Sequence, residues 1–128
     1  MEALLDAGVA IEAGVWSVDD AELLARSGLM DRVFRVLVEP VDLRQNEAVR
    51  FVGEIHRTLD ELGVRAPRLQ HGDGEATWVL IRDAVARGLD TRVGLEDTFF
   101  EPDGRRTRGN AGLVSAARAL GAGRAVDR

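Results

Sequence analysis

The chain has no cysteine, no lysine and no tyrosine. Without cysteine there are no disulfides, thiolate metal sites or thiol nucleophiles. Without lysine there is no Schiff-base chemistry and no Walker-type phosphate lysine, and all 17 basic residues are arginine. The serines, Ser17, Ser27 and Ser115, stand outside any G-x-S-x-G elbow. Long apolar runs are also missing. None approaches the roughly 20 residues that span a bilayer, and the start "MEALLDAG" lacks the basic and hydrophobic segments of a signal peptide. A cytoplasmic protein without a membrane partner is the expectation. The net charge of -5, with acids and bases mixed along the chain, offers no basic stripe and argues against nucleic acid.

What is left for chemistry is carboxylates, arginines, two histidines and any metal they can hold. At 128 residues the chain suits one modest domain, expected over 1–128. Short apolar runs alternate with amphipathic stretches of helical period, the pattern of consecutive βα units in a parallel α/β sheet. Four such units are expected, near 9–31, 32–64, 66–89 and 91–121, with "MEALLDAG" as the tail of an earlier helix. Their strands read "VAIEAGV", "RVFRVLVEP", "PRLQHG" and "TRVGLED". Ser17 is placed to cap the first helix, and Gly28 and Gly63 to end helices. The repeat is close to one eighth of a (β/α)8 barrel, about 31 residues, so four units would make half a barrel. An open doubly wound sheet is the rival, although no turn carries G-x-G-x-x-G.

Side chains alternate across a strand. In "TRVGLED" this puts Val93 and Leu95 on one face and Arg92, Gly94 and Glu96 on the other. The same parity predicts an inward set of Glu12, Arg35, Glu39, Arg68, Gln70, Arg92 and Glu96, with Val9, Ile11, Phe34, Val36 and Val38 outward. Glu12, Glu39 and Glu96 are then expected at the C-terminal ends of their strands, where barrel enzymes keep their active sites. Two readings stay open: a structural ion-pair network, and a polar, metal-capable pocket. His71 is a strand-end residue able to act as ligand, proton donor or loop cap. His56 is expected at the surface, and Trp16 and Trp78 in packing. "GDGE" reads as a tight turn into a helix. Arg105, Arg106 and Arg108 precede a helix N-terminus and suit an anion site or plain solvation.

"GVAIEAGVWS", "RVLVEP", "RLQHGDGEATW", "TRVGLEDT" and "GNAGLVSAARALG" together resemble the C-terminal half of a β-keto acid cleavage enzyme, the 3-keto-5-aminohexanoate cleavage protein-like family. "RVGLED" followed by Asn at a helix start is the most specific part. The resemblance implies a zinc-dependent (β/α)8 barrel that condenses a β-keto acid with acetyl-CoA, giving acetoacetate and a new CoA thioester. By position it implies Glu96 as zinc ligand and Asp97 as general base, with Arg92 orienting the base or stabilising developing charge and Glu12 paired with Arg92. Arg105, Arg106 and Arg108 are the candidates for cofactor binding. The family's other two ligands are histidines in an H-x-H motif, and this chain contains none. Inactivity as a lone monomer follows as an expectation, the alternatives being a truncated gene or fragment, an N-terminal half on another chain, or association of two copies. A non-catalytic remnant or assembly module is the alternative; a small open α/β metal- or phosphate-binding domain is a further one.

Overall fold

A computed structural model describes residues 1–124. Helix α1 (Glu2–Asp6) precedes strand β1 (Glu12–Val15) and helix α2 (Val18–Arg26). Strand β2 (Arg35–Val38), helix α3 (Gln45–Glu61), strand β3 (Arg68–Gln70), helix α4 (Thr77–Arg87) and helix α5 (Asn110–Ala119) follow. The three strands are parallel, in the order β1-β2-β3, and alternate with helices. The last positions of the expected 1–128 span lie outside the described residues.

Local signals explain the boundaries. Ser17 is extended and its Oγ accepts the Asp20 amide at 3.3 Å, while Asp19 and Asp20 complement the helix dipole of α2. Gly28 (φ 71°) and Gly63 (φ 75°) take the left-handed conformation that lets the chain leave α2 and α3. The apolar face of α3, Ala48, Val52, Ile55 and Leu59, is fully buried against Val15, Val36 and Val38 of the sheet. Val9 and Phe34, expected to pack under helices, lie outside the strands, and Phe34 is 60% exposed.

The fourth unit differs from expectation. Asp90 forms one parallel bridge to Leu69, the Gln70 amide donates to Asp90 O at 3.0 Å, and Thr91 Oγ1 donates to Gln70 O at 2.8 Å. No strand spans 91–97. The Asp97 and Thr98 amides both turn back to Gly94 O, and Asp97 Oδ2 accepts the Gly94 amide at 2.9 Å. "GLED" is therefore a side-chain-closed turn, and the hydrogen bonds a strand would offer a neighbour are used locally. Arg92 and Glu96 do not share a strand face; they form an ion pair at 2.9 Å on the turn's rim.

β3 also inverts the expected parity. Its register pairs Val36 with Arg68, Leu37 with Leu69 and Val38 with Gln70, so Arg68 and Gln70 face the helices with Val36 and Val38. A polar layer there receives them. Gln70 is fully buried, accepts His56 Nε2–H at 2.7 Å, and donates to Leu80 O and to Asp83 Oδ2, each at 2.9 Å. Arg68 reaches His56 Nδ1 at 3.3 Å and Asp60 at 2.6 Å. His56 is thus buried between strand and helices, not at the surface. A sheet-facing glutamine reads from sequence like an inward polar residue, and only the register separates the two.

Candidate functional site

The opposite face of the sheet carries Glu12 and Gly14 from β1, Arg35 and Leu37 from β2, then Glu39, and Leu69 from β3, then His71. It is layered by charge. At the N-terminal end of the strands Arg35 bridges Glu12 (Nε to Oε1, 2.8 Å) and Asp90 (Nη1 to Oδ2, 3.1 Å). The register requires this pair, since Glu12 lies directly beside Arg35. Glu12 therefore pairs with Arg35 instead of Arg92, and it opens β1 rather than closing it. The pairing holds the Arg35 guanidinium above its ordinary value, with the Glu12 hydrogen bond outweighing partial desolvation.

The C-terminal end gathers a different set. A cavity of about 270 Å³ is lined by Trp16, Glu39, His71, Arg92, Glu96 and Asp97, among others. They come from four places in the fold: Trp16 from just past β1, Glu39 from just past β2, His71 from just past β3, and the last three from the "RVGLED" segment. Glu39 is held on both oxygens. Oε1 accepts Trp16 Nε1–H at 3.2 Å and Oε2 accepts His71 Nε2–H at 3.0 Å. Gly14 makes room for it, because a Cβ there would meet Glu39 Oε1 at 2.7 Å. Trp16, expected in packing, is 56% exposed and serves the site through its indole N–H.

His71 and Asp97 are both buried. His71 Nδ1 lies 3.4 Å from Asp97 Oδ1 but is too poorly aligned for a hydrogen bond, and it has no other partner. Burial alone would lower the His71 pKa; the carboxylates of Asp97 and Glu39 more than offset it, and the net shift is upward. Asp97 is fixed at the backbone, where its carbonyl accepts the Gly74 amide at 2.8 Å. Helix α5 holds the turn from the other side: Asn110 Oδ1 accepts the Leu95 amide at 2.8 Å. The asparagine that follows "RVGLED" at a helix start thus has a mechanical role.

Arg92, Glu96 and Asp97 of the sequence-derived set come together at this cavity. Glu12 does not join them, and neither do the loop arginines. Arg105 is exposed and paired with Asp103 at 2.6 Å, Arg106 stacks over Phe99 with 5.9 Å to the ring centroid, and Arg108 is exposed. Glu39 had a sequence signal, as an acid ending an apolar strand. The link from His71 to Glu39 and Asp97 had none, since it joins positions far apart in the chain.

The residues present do not by themselves fit a zinc ion. Among the described residues no group of three His, Asp or Glu side chains is arranged to hold a metal. Glu39 and Asp97 face opposite nitrogens of one imidazole, so no single ion can sit among the three. Glu96 is 72% exposed at the side chain and paired with Arg92. Nor is any helix among the described residues long and apolar enough to cross a membrane. No curated protein matches the chain. The family model for beta-keto acid cleavage enzyme matches residues 1–126, and the chain belongs to that family.

Proposed function

We propose that this chain contributes one wall of an acyl-transfer site acting on a β-keto acid and acetyl-CoA, giving acetoacetate and a new CoA thioester. The supporting observation is the convergence of Arg92, Glu96 and Asp97 on one cavity at the C-terminal end of a parallel sheet, in a chain of this family. The fold fits a reading as part of a (β/α)8 barrel, whose active sites lie at that end. Asp97 is the base. Its Oδ2 takes the Gly94 amide, a bond that orients the carboxylate. Arg92 balances charge that develops on substrate oxygen. Glu96 is one metal ligand, to be completed by two histidines from outside these 128 residues, on an N-terminal half-barrel or a second copy. Arg105, Arg106 and Arg108 offer exposed cations to the phosphates of CoA. Glu12 remains the charge partner of Arg35.

Zinc titration and turnover of a β-keto acid with acetyl-CoA, with and without a complementing segment that bears H-x-H, test this. Weak zinc binding by the chain alone, and turnover only with the complement, are expected. Tight zinc binding with full turnover by the chain alone would contradict the shared site. Absence of turnover with a folded complement would contradict acyl transfer.

A second reading, an assembly module with structural ion pairs, draws on the fact that Glu12, Arg35, Asp90, Arg92 and Glu96 all have charge partners. Glu96→Gln separates the two: it abolishes turnover of the completed enzyme in the first case and leaves any partner activity untouched in the second.

A further inference from the structure

His71 is bonded differently from an ordinary strand-end residue. Its backbone is already held, since its amide donates to Val38 O at 3.2 Å and continues the β2–β3 ladder. The side chain is therefore not needed to place the segment. Yet a buried imidazole has been set between two carboxylates with one nitrogen satisfied and the other not. For a filler, a leucine would avoid the orphaned polar atom. An imidazole is also the side chain that can address carboxylates at two opposite edges of one rigid ring.

The ring is aimed by a chain of contacts that begins on the same face, just past the edge strand β1. Trp16 Nε1–H fixes Glu39 Oε1, Glu39 Oε2 fixes His71 Nε2, and the ring plane then carries Nδ1 toward Asp97 Oδ1. Gly14 keeps the space that this geometry requires. The far end is equally constrained, because Asp97 Oδ2 is taken by Gly94 and only Oδ1 is open to a second group. Contacts of this kind are commonly loose without substrate and tighten when it binds.

We propose that His71 is a positioning residue for Asp97: held by Glu39 and Trp16, its ring sets the rotamer of the Asp97 carboxylate toward the cavity shared with Arg92 and Glu96. The proposal rests on the reading of Asp97 as the base. His71 touches no reacting atom and acts only through Asp97. Removing it leaves the carboxylate tied only through Oδ2 to the Gly94 amide, with Oδ1 no longer aimed, which lowers kcat while KM stays nearly constant.

The test is made first on the chain itself, by long-range 1H–15N correlation of the His71 ring and by couplings that report the Asp97 side-chain rotamer. Glu39→Gln is expected to move the Nε2 resonance and Asp97→Asn the Nδ1 resonance. His71→Leu is expected to add a second Asp97 rotamer to the one the Gly94 amide holds, and His71→Gln to restore part of the order. These readouts need neither metal nor turnover, so they stand even if the acyl-transfer reading fails. In the completed enzyme His71→Leu should lower kcat by about 10- to 100-fold, the range typical of residues that orient a catalytic group from behind. An Nδ1 resonance indifferent to Asp97→Asn, or an Asp97 rotamer unchanged in both His71 variants, would overturn the proposal. So would full kcat in a completed His71→Leu enzyme.

Discussion

Gly14 is small for the sake of a residue on another strand. Gly14→Ala places a methyl at 2.7 Å from Glu39 Oε1, and the flexible end of that side chain has to give way. The carboxylate should then leave both Trp16 and His71 while the sheet stays intact. Loss of the hydrogen-bonded Trp16 indole N–H signal, with little change in unfolding midpoint, is the expected measurement. The histidines act on stability in opposite senses. Burial, aided by Arg87 and Arg68, depresses His56, so the unfolded chain binds its proton more readily; its contribution is present above about pH 6.5 and lost as pH falls through the depressed value. His71 is raised, so its contribution is complete below about pH 6.5 and lost as pH rises through the raised value. Urea unfolding across pH should show His56→Gln flattening the acid limb and His71→Gln the alkaline limb.

At the level of elements, α2 depends on its first turn. Ser17→Ala removes the acceptor for the Asp20 amide and should cost about 1 kcal/mol in chemical unfolding. Its cap was legible in sequence because capping is local, as were the glycine exits of α2 and α3 and the apolar stripe of α3. Strand orientation was legible only where apolar residues alternate. In β2 they do, and Val36 and Val38 face the helices as expected. In β3 a polar layer made by His56, Asp60 and Asp83 on α3 and α4 welcomes Arg68 and Gln70, and alternation alone assigns them to the wrong side. "RVGLED" misleads for a related reason. Its composition suits a strand, but a side chain three residues ahead closes it into a turn. Arg92 and Glu96 line the cavity although no strand face carries them there, and Asp97, which only the family likeness singles out, lines it with them.

For the whole molecule, the core holding α3 to the sheet is continuous and well filled. Ile55→Ala, at a fully buried position within it, should lose about 2–5 kcal/mol by urea unfolding. The sheet's outer edges are a different matter. Within the described residues β1 has a strand neighbour on one side only, with Val9 and Leu4 exposed nearby. Such edges invite pairing with other chains, and a charge blunts them. Sedimentation of the chain alone should show association rising with concentration, reduced in Val9→Lys. The same principle of anchoring has a practical side at the far end of the fold. The Leu95 amide is tied to Asn110, and Phe100 and Arg106 form an antiparallel bridge, so the intervening tip around Asp103 and Gly104 is fastened at its base. A dye, purification tag or tether grafted between Asp103 and Gly104 would leave the anchors of the Asp97 cavity in place while displacing Asp103 from Arg105, making this loop a port from which to report on the neighbouring arginines.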